Sequence, residues 1–155
     1  MINKREVLKN LYENYIKGTV VKKPVTIKTV FLCHLSNIVI RELKKFTNLE
    51  SRVYINTKVL KHMYDSKPAE EFDFLLNNLH KIVKHPDFIY KNKKTKRGSY
   101  CLVKNLKENY YFCSIEIDAN NSPIVKIATA FRIRKLNYLN DYTLLWNWKD
   151  DAPSS

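Results

Sequence analysis

The sequence predicts an α+β fold: helices followed by a four-stranded antiparallel sheet, with an N-terminal helical extension. Three observations lead there. Apolar residues recur at helical spacing as far as Val83, Pro86 stops that pattern, and beyond it short apolar runs alternate with turn residues.

Residues 3–17 place Val7, Leu8, Leu11, Tyr12, Tyr15 and Ile16 at helical spacing, and Gly18 is placed to end that helix. Residues 19–29, interrupted by Pro24, read as short extended structure. A second helix is expected over 34–46, with Leu35, Ile38, Val39, Leu43 and Phe46 inward and Arg41, Lys44 and Lys45 outward. Residues 1–50 are thus a helical extension packed on a domain of residues 51–136.

Within that domain residues 52–56 are a strand candidate, and Asn56 or Thr57 can cap a helix reaching Tyr64. Ser66, Pro68, Glu70 and Glu71 signal another helix start: a capping hydroxyl, a first-turn proline, and acids at the positive end of the dipole. Phe72, Leu75, Leu76, Leu79, Ile82 and Val83 then keep to one face. The four strands are 87–90, 99–106, 110–117 and 124–134. Residues 137–155 form an aromatic tail containing Tyr138, Tyr142, Trp146 and Trp148.

Composition bounds the function. The chain has 155 residues, 45% apolar and 12% aromatic, which is single-domain size and too hydrophobic for disorder. Its two glycines are too few for a phosphate-cradling loop. Lys and Arg number 28 against 15 Asp and Glu, for a net charge of +13. A field of that sign draws polyanions, RNA foremost. Cys33, Cys101 and Cys113 are far apart and fit reduced thiols in a cytoplasmic setting. No metal or cofactor is expected. The longest apolar stretch, 30–40, is too short and polar to span a bilayer, so no membrane association is expected.

Among four histidines, His62 stands out. Lys58 lies one turn before it and Lys61 beside it, so an imidazole sits among cations able to hold a phosphodiester. Cleavage through the ribose 2′-hydroxyl needs such a group as base or acid; a solvated helix face is the plainer alternative. In strand 124–134, alternation puts Val125, Ile127, Thr129, Phe131 and Ile133 on the inward face. Lys126, Ala128, Ala130, Arg132 and Arg134 fall on the other, suited to tracking a nucleic-acid backbone. Thr129 could then hold a phosphate oxygen near His62, and Phe131 could stack a base. Lys91, Lys93, Lys94, Lys96 and Arg97 form a basic loop suited to clamping phosphates, and Lys104 follows on the next strand. Glu116 is a candidate base, or an ion-pair partner.

Several segments carry a resemblance in their order and spacing. They are Val53-Tyr-Ile-Asn56, Lys58-Val-Leu-Lys-His62, residues 79–90, the strands holding Tyr100–Lys104 and Tyr110–Ile117, and Ile127-Ala-Thr-Ala-Phe131. From about residue 52 to 134 the chain resembles the phage-type branch of the barnase/EndoU/colicin/RelE-like nuclease superfamily. The resemblance implies metal-independent RNA cleavage in a cleft between helix and sheet. His62 would be the helical histidine, Lys58 or Lys61 its cation, Thr129 the hydroxyl of the last strand and Phe131 the following aromatic. It also implies tRNA as a substrate, a toxin-like role and an acidic inhibitor or antitoxin as protein partner. No second acid/base residue is carried over, so a noncatalytic RNA- or DNA-binding module of the same fold stays open.

Overall fold

The structure is a computed structural model and describes residues 4–92, 99–118 and 122–151. The chain runs α1 (Lys4–Tyr15), β1 (Thr29–His34), α2 (Asn37–Leu43), β2 (Arg52–Asn56), α3 (Thr57–Ser66) and α4 (Ala69–Lys84). It continues through β3 (Phe88–Lys91), β4 (Tyr100–Leu106), β5 (Asn109–Asp118), β6 (Ser122–Arg132) and β7 (Thr143–Asn147). Short 3-10 turns flank β7 at Leu136–Leu139 and Trp148–Asp151.

Among the described residues, seven strands join one mixed sheet in the order β1-β2-β6-β5-β4-β3-β7. The expected four-stranded antiparallel sheet is therefore incorrect. β3 to β6 do form an antiparallel meander. β7 extends it at one edge, and β2 joins β6 in parallel at the other, with β1 outside it. The missed strands have a common cause. β1 carries a register shift between Phe31 and Cys33, so Leu32 and Cys33 are buried in succession and the alternation that marks a strand is broken. A second shift interrupts the β3–β7 pair.

A third irregularity lies in β6. Ile115 pairs with Ile127 and Ser114 with Thr129, so Ala128 bulges without a partner. The expected single stripe of Val125, Ile127, Thr129, Phe131 and Ile133 divides there. Val125, Ile127 and Ala130 join the main core, whereas Phe131 and Ile133 pack with Cys101, Val103 and Phe112 in a second cluster. Ala130 is thus core and not part of an outward basic track. Neighbours such as Phe112 and Cys113 belong to different clusters, so the two clusters occupy opposite faces of the sheet.

The helices cover the main-core face. α4 buries Phe72, Leu75, Leu76, Leu79, Ile82 and Val83, the stripe expected of it; each contributes roughly 1.5–3 kcal/mol of transfer free energy. Ser66 does not cap α4: it ends α3, and its hydroxyl donates to the His62 carbonyl at 2.6 Å. Pro68 takes the N-cap position without a side-chain bond. α2 is shorter than expected, starting after the Ser36 cap, and leaves Ile38 and Phe46 exposed instead of inward. Residues 1–50 contribute Leu8, Leu11, Ile16, Leu32, Cys33, Leu35, Val39, Leu43 and Leu49 to the same core as the rest of the chain.

Candidate active site

α3 begins directly after the last residue of β2, and local chemistry holds that junction. Asn56 caps the helix, its Oδ1 accepting the Val59 N–H at 2.9 Å. Thr57 is fully buried; its hydroxyl donates to the Thr26 carbonyl at 2.6 Å and accepts the Lys28 N–H at 2.9 Å. Because β2 lies beside β6, the first turns of α3 stand over the middle of β6.

A cleft of about 350 Å³ opens there. Asn56, Lys58, Val59 and His62 line it from the helix side, and Glu116, Lys126, Ile127 and Ala128 from the sheet. His62, Lys58, Glu116 and Lys126 are exposed. Glu116 and Lys126 are directly opposed across β5 and β6. Among the described residues, Lys58, Glu116 and Lys126 enter no ion pair. An imidazole, a carboxylate and two ammonium groups thus face one solvent-open volume. That set can move protons and hold an anion.

Lys61 has a different environment. Its side chain is 7% exposed, and its ammonium donates to Asp65 Oδ1 and to the Val20 carbonyl, both at 2.7 Å. Burial works against the Asp65 charge. Hydrogen bonds from Lys61 and from the Lys22 N–H outweigh it, helped by the Lys61 and His62 charges, and hold that carboxyl below its usual range.

Thr129 is buried opposite Ser114, one residue past Ala128, and does not line the cleft with His62. Phe131 is half-buried and stacked on Phe112 at 4.6 Å, with the Lys67 ammonium 5.6 Å from its ring centre. Arg132 is half-buried, its backbone N–H donating to Glu71 Oε2 at 3.4 Å. Lys104 donates to the His85 carbonyl at 2.7 Å, with Asp87 at 3.6 Å, at the corner between α4 and β3. Lys91 is exposed at the end of β3. Lys93, Lys94, Lys96 and Arg97 lie outside the described residues.

In the sequence Asn56 shows only as a helix cap and Lys126 only as part of an outward face. The signal the sequence lacked was the β5–β6 register, which sets Lys126 against Glu116 and puts both beside Ala128. The family model for phage-Barnase-EndoU-ColicinE5/D-RelE like nuclease3 matches residues 35–138. The chain belongs to this nuclease family. Every residue of the cleft falls inside the matched span, while α1, β1 and β7 fall outside it. Membership in the nuclease family makes nucleic acid the substrate class. No curated protein and no solved structure matches the chain. Among the described residues no helix is long and apolar enough to cross a membrane.

Proposed function

We propose that this nuclease cuts RNA through the ribose 2′-hydroxyl without a metal ion, with His62 and Glu116 as its proton-transfer pair. One observation carries the reading: His62 and Glu116 line the same open cleft together with Lys58 and Lys126. The Glu116 carboxylate takes the 2′-hydroxyl proton as the oxygen attacks phosphorus. The bond from phosphorus to the 5′-oxygen breaks, and the protonated His62 gives its proton to that leaving oxygen. A 2′,3′-cyclic phosphate and a free 5′-hydroxyl result. Lys58 and Lys126 balance the charge that grows on the non-bridging oxygens. Each proton-transfer group contributes typically about 10²–10⁴-fold to the rate.

Thr129 has a supporting part in this reading. Thr129 directly follows the bulged Ala128 of the cleft wall and acts in this reading as a positioning group. Thr129→Val should lower kcat with KM unchanged, and Thr129→Ser should restore the rate. Transfer RNA is the first substrate to try, and the +13 charge suits an acidic protein inhibitor as well as RNA.

The test is cleavage of total tRNA by the purified protein in EDTA, with the new ends typed chemically. Cyclic phosphate ends are expected, and His62→Ala and Glu116→Gln should each lose at least a hundredfold in rate with unchanged thermal midpoints. Wild-type protein that binds RNA and never cuts it would overturn the catalytic reading and leave a nucleic-acid-binding module of the same fold.

A further inference from the structure

His62 and Lys58 also border a second, larger cleft of about 620 Å³ on the other side of α3. Its outer wall is the strap joining α1 to β1, residues 19–28, which precedes the family-matched span. The strap is tied to α3 at both ends. Thr57 binds the backbone of Thr26 and Lys28, while the buried Lys61–Asp65 pair binds the Val20 carbonyl and the Lys22 N–H. Held within these ties, Val21 and Ile27 stay 59% and 62% exposed beside the cleft, and Lys22 and Lys23, which also line it, are exposed. The cleft lies in the roughly 300–1,000 Å³ range of small-molecule sites.

We propose that this strap forms a second subsite, which holds the nucleotide next to the scissile phosphate in a single-stranded RNA. The inference rests on the nuclease reading for its substrate class and adds the element that selects the strand. Two features argue for it. Lys58 and His62 line both clefts, so a strand with its phosphate at His62 has either cleft within one nucleotide's reach. The second cleft also combines apolar side chains with ammonium groups, which suits a base face and the phosphate attached to it. A base enters such a slot only when unstacked, which favours single strands over duplex.

The experiment uses full-length protein and 2′-O-methyl RNA, which a 2′-hydroxyl mechanism cannot cut, so binding is read apart from catalysis. Fluorescence anisotropy compares a dinucleotide, a tetranucleotide and a duplex of the same sequence. The tetranucleotide should bind at least tenfold more tightly than the dinucleotide. Lys22→Gln/Lys23→Gln and, separately, Val21→Ser/Ile27→Ser should each bring that ratio close to one. For the lysine variant, loss of two phosphate contacts should also flatten the salt dependence of tetranucleotide binding by about 1.4 log units per log unit of salt. A ratio unchanged in both variants, or duplex bound as tightly as single strand, overturns the subsite. The latter pattern, together with competition by an acidic protein, would assign the strap to an inhibitor. Wild-type protein that shows the tenfold preference but does not cut unmodified RNA would remove the enzyme and keep the subsite; the reverse result would do the opposite.

Discussion

Replacing Lys61 by Met tests whether this lysine serves the fold or the substrate. The Lys61 and Asp65 side chains are 7% and 12% exposed and meet at 2.7 Å. Methionine keeps most of the aliphatic stem and removes the charge with its hydrogen bonds. Asp65 is then left with the Lys22 N–H, at 3.0 Å, and the Val20 carbonyl loses its ammonium donor. Removing one partner of a buried ion pair costs roughly 3–5 kcal/mol. Asp65 keeps one hydrogen bond and has some solvent access, so the lower end applies, about 3 kcal/mol. In a chain of this size each kcal/mol moves the midpoint by about 2–4 °C, so a fall of about 6–12 °C follows. Urea unfolding measured by circular dichroism, with calorimetry for the midpoint, reads the effect. The double variant Lys61→Met/Asp65→Leu should recover most of the loss, because no charge is then left buried. A single variant that loses less than about 1 kcal/mol would refute the reasoning and return Lys61 to the cations available for phosphate. So would a double variant no more stable than the single one.

The acid limb of stability follows from the same pair. Asp65 titrates below its ordinary 3.8 in the folded state, so its contribution is complete above that pH and is lost as pH falls through the lower folded value. Lys61→Met should therefore shift acid unfolding to higher pH, measured by fluorescence titration. Ala128 lines the 350 Å³ cleft, and Ala128→Leu should raise KM by about tenfold, or 1.4 kcal/mol, with the midpoint nearly unchanged; steady-state kinetics on tRNA would check it. Cys33, Cys101 and Cys113 are buried, and burial pushes the Cys101 thiol up to about 12. All three should resist a thiol reagent in native buffer and react only on unfolding.

Where one stretch of chain decides its own structure, the sequence could be read. Asn56 announces the start of α3, the six apolar residues of α4 declare their face, and turn residues part the meander strands. The full sheet was hidden because register shifts in β1 and in the β3–β7 pair disturb the two-residue period on which strand recognition depends, while the shift in β6 left that strand legible and divided only its inward stripe. Lys58 and Lys61 look alike on a helix diagram. What separates them is the strap, distant in sequence, that covers Lys61 and leaves Lys58 open. Glu116 looked like an ion-pair partner as much as a base. The fold sets it in the same cleft as His62, a neighbour that no local pattern shows.

The candidate site depends on one strand pairing. Asn56, Lys58 and His62 lie within seven consecutive residues and are held together by a single helix turn and its cap. Glu116 and Lys126 are fixed to each other by the β5–β6 register. Nothing local relates the first group to the second; the parallel contact of Val53 with Val125 and Tyr54 with Lys126 does so. A slip of one residue in β6 would turn Lys126 away from Glu116 and carry Val125 and Ile127 out of the core. The Ala128 bulge guards against that slip. It lets Ile127 and Ala130, three residues apart, reach the main core together, an arrangement that a regular strand cannot match in any register. The same bulge puts the smallest side chain of the cleft wall beside His62 and Glu116. The irregularity that divides the expected inward stripe of β6 is therefore what holds the groups of the cleft in register.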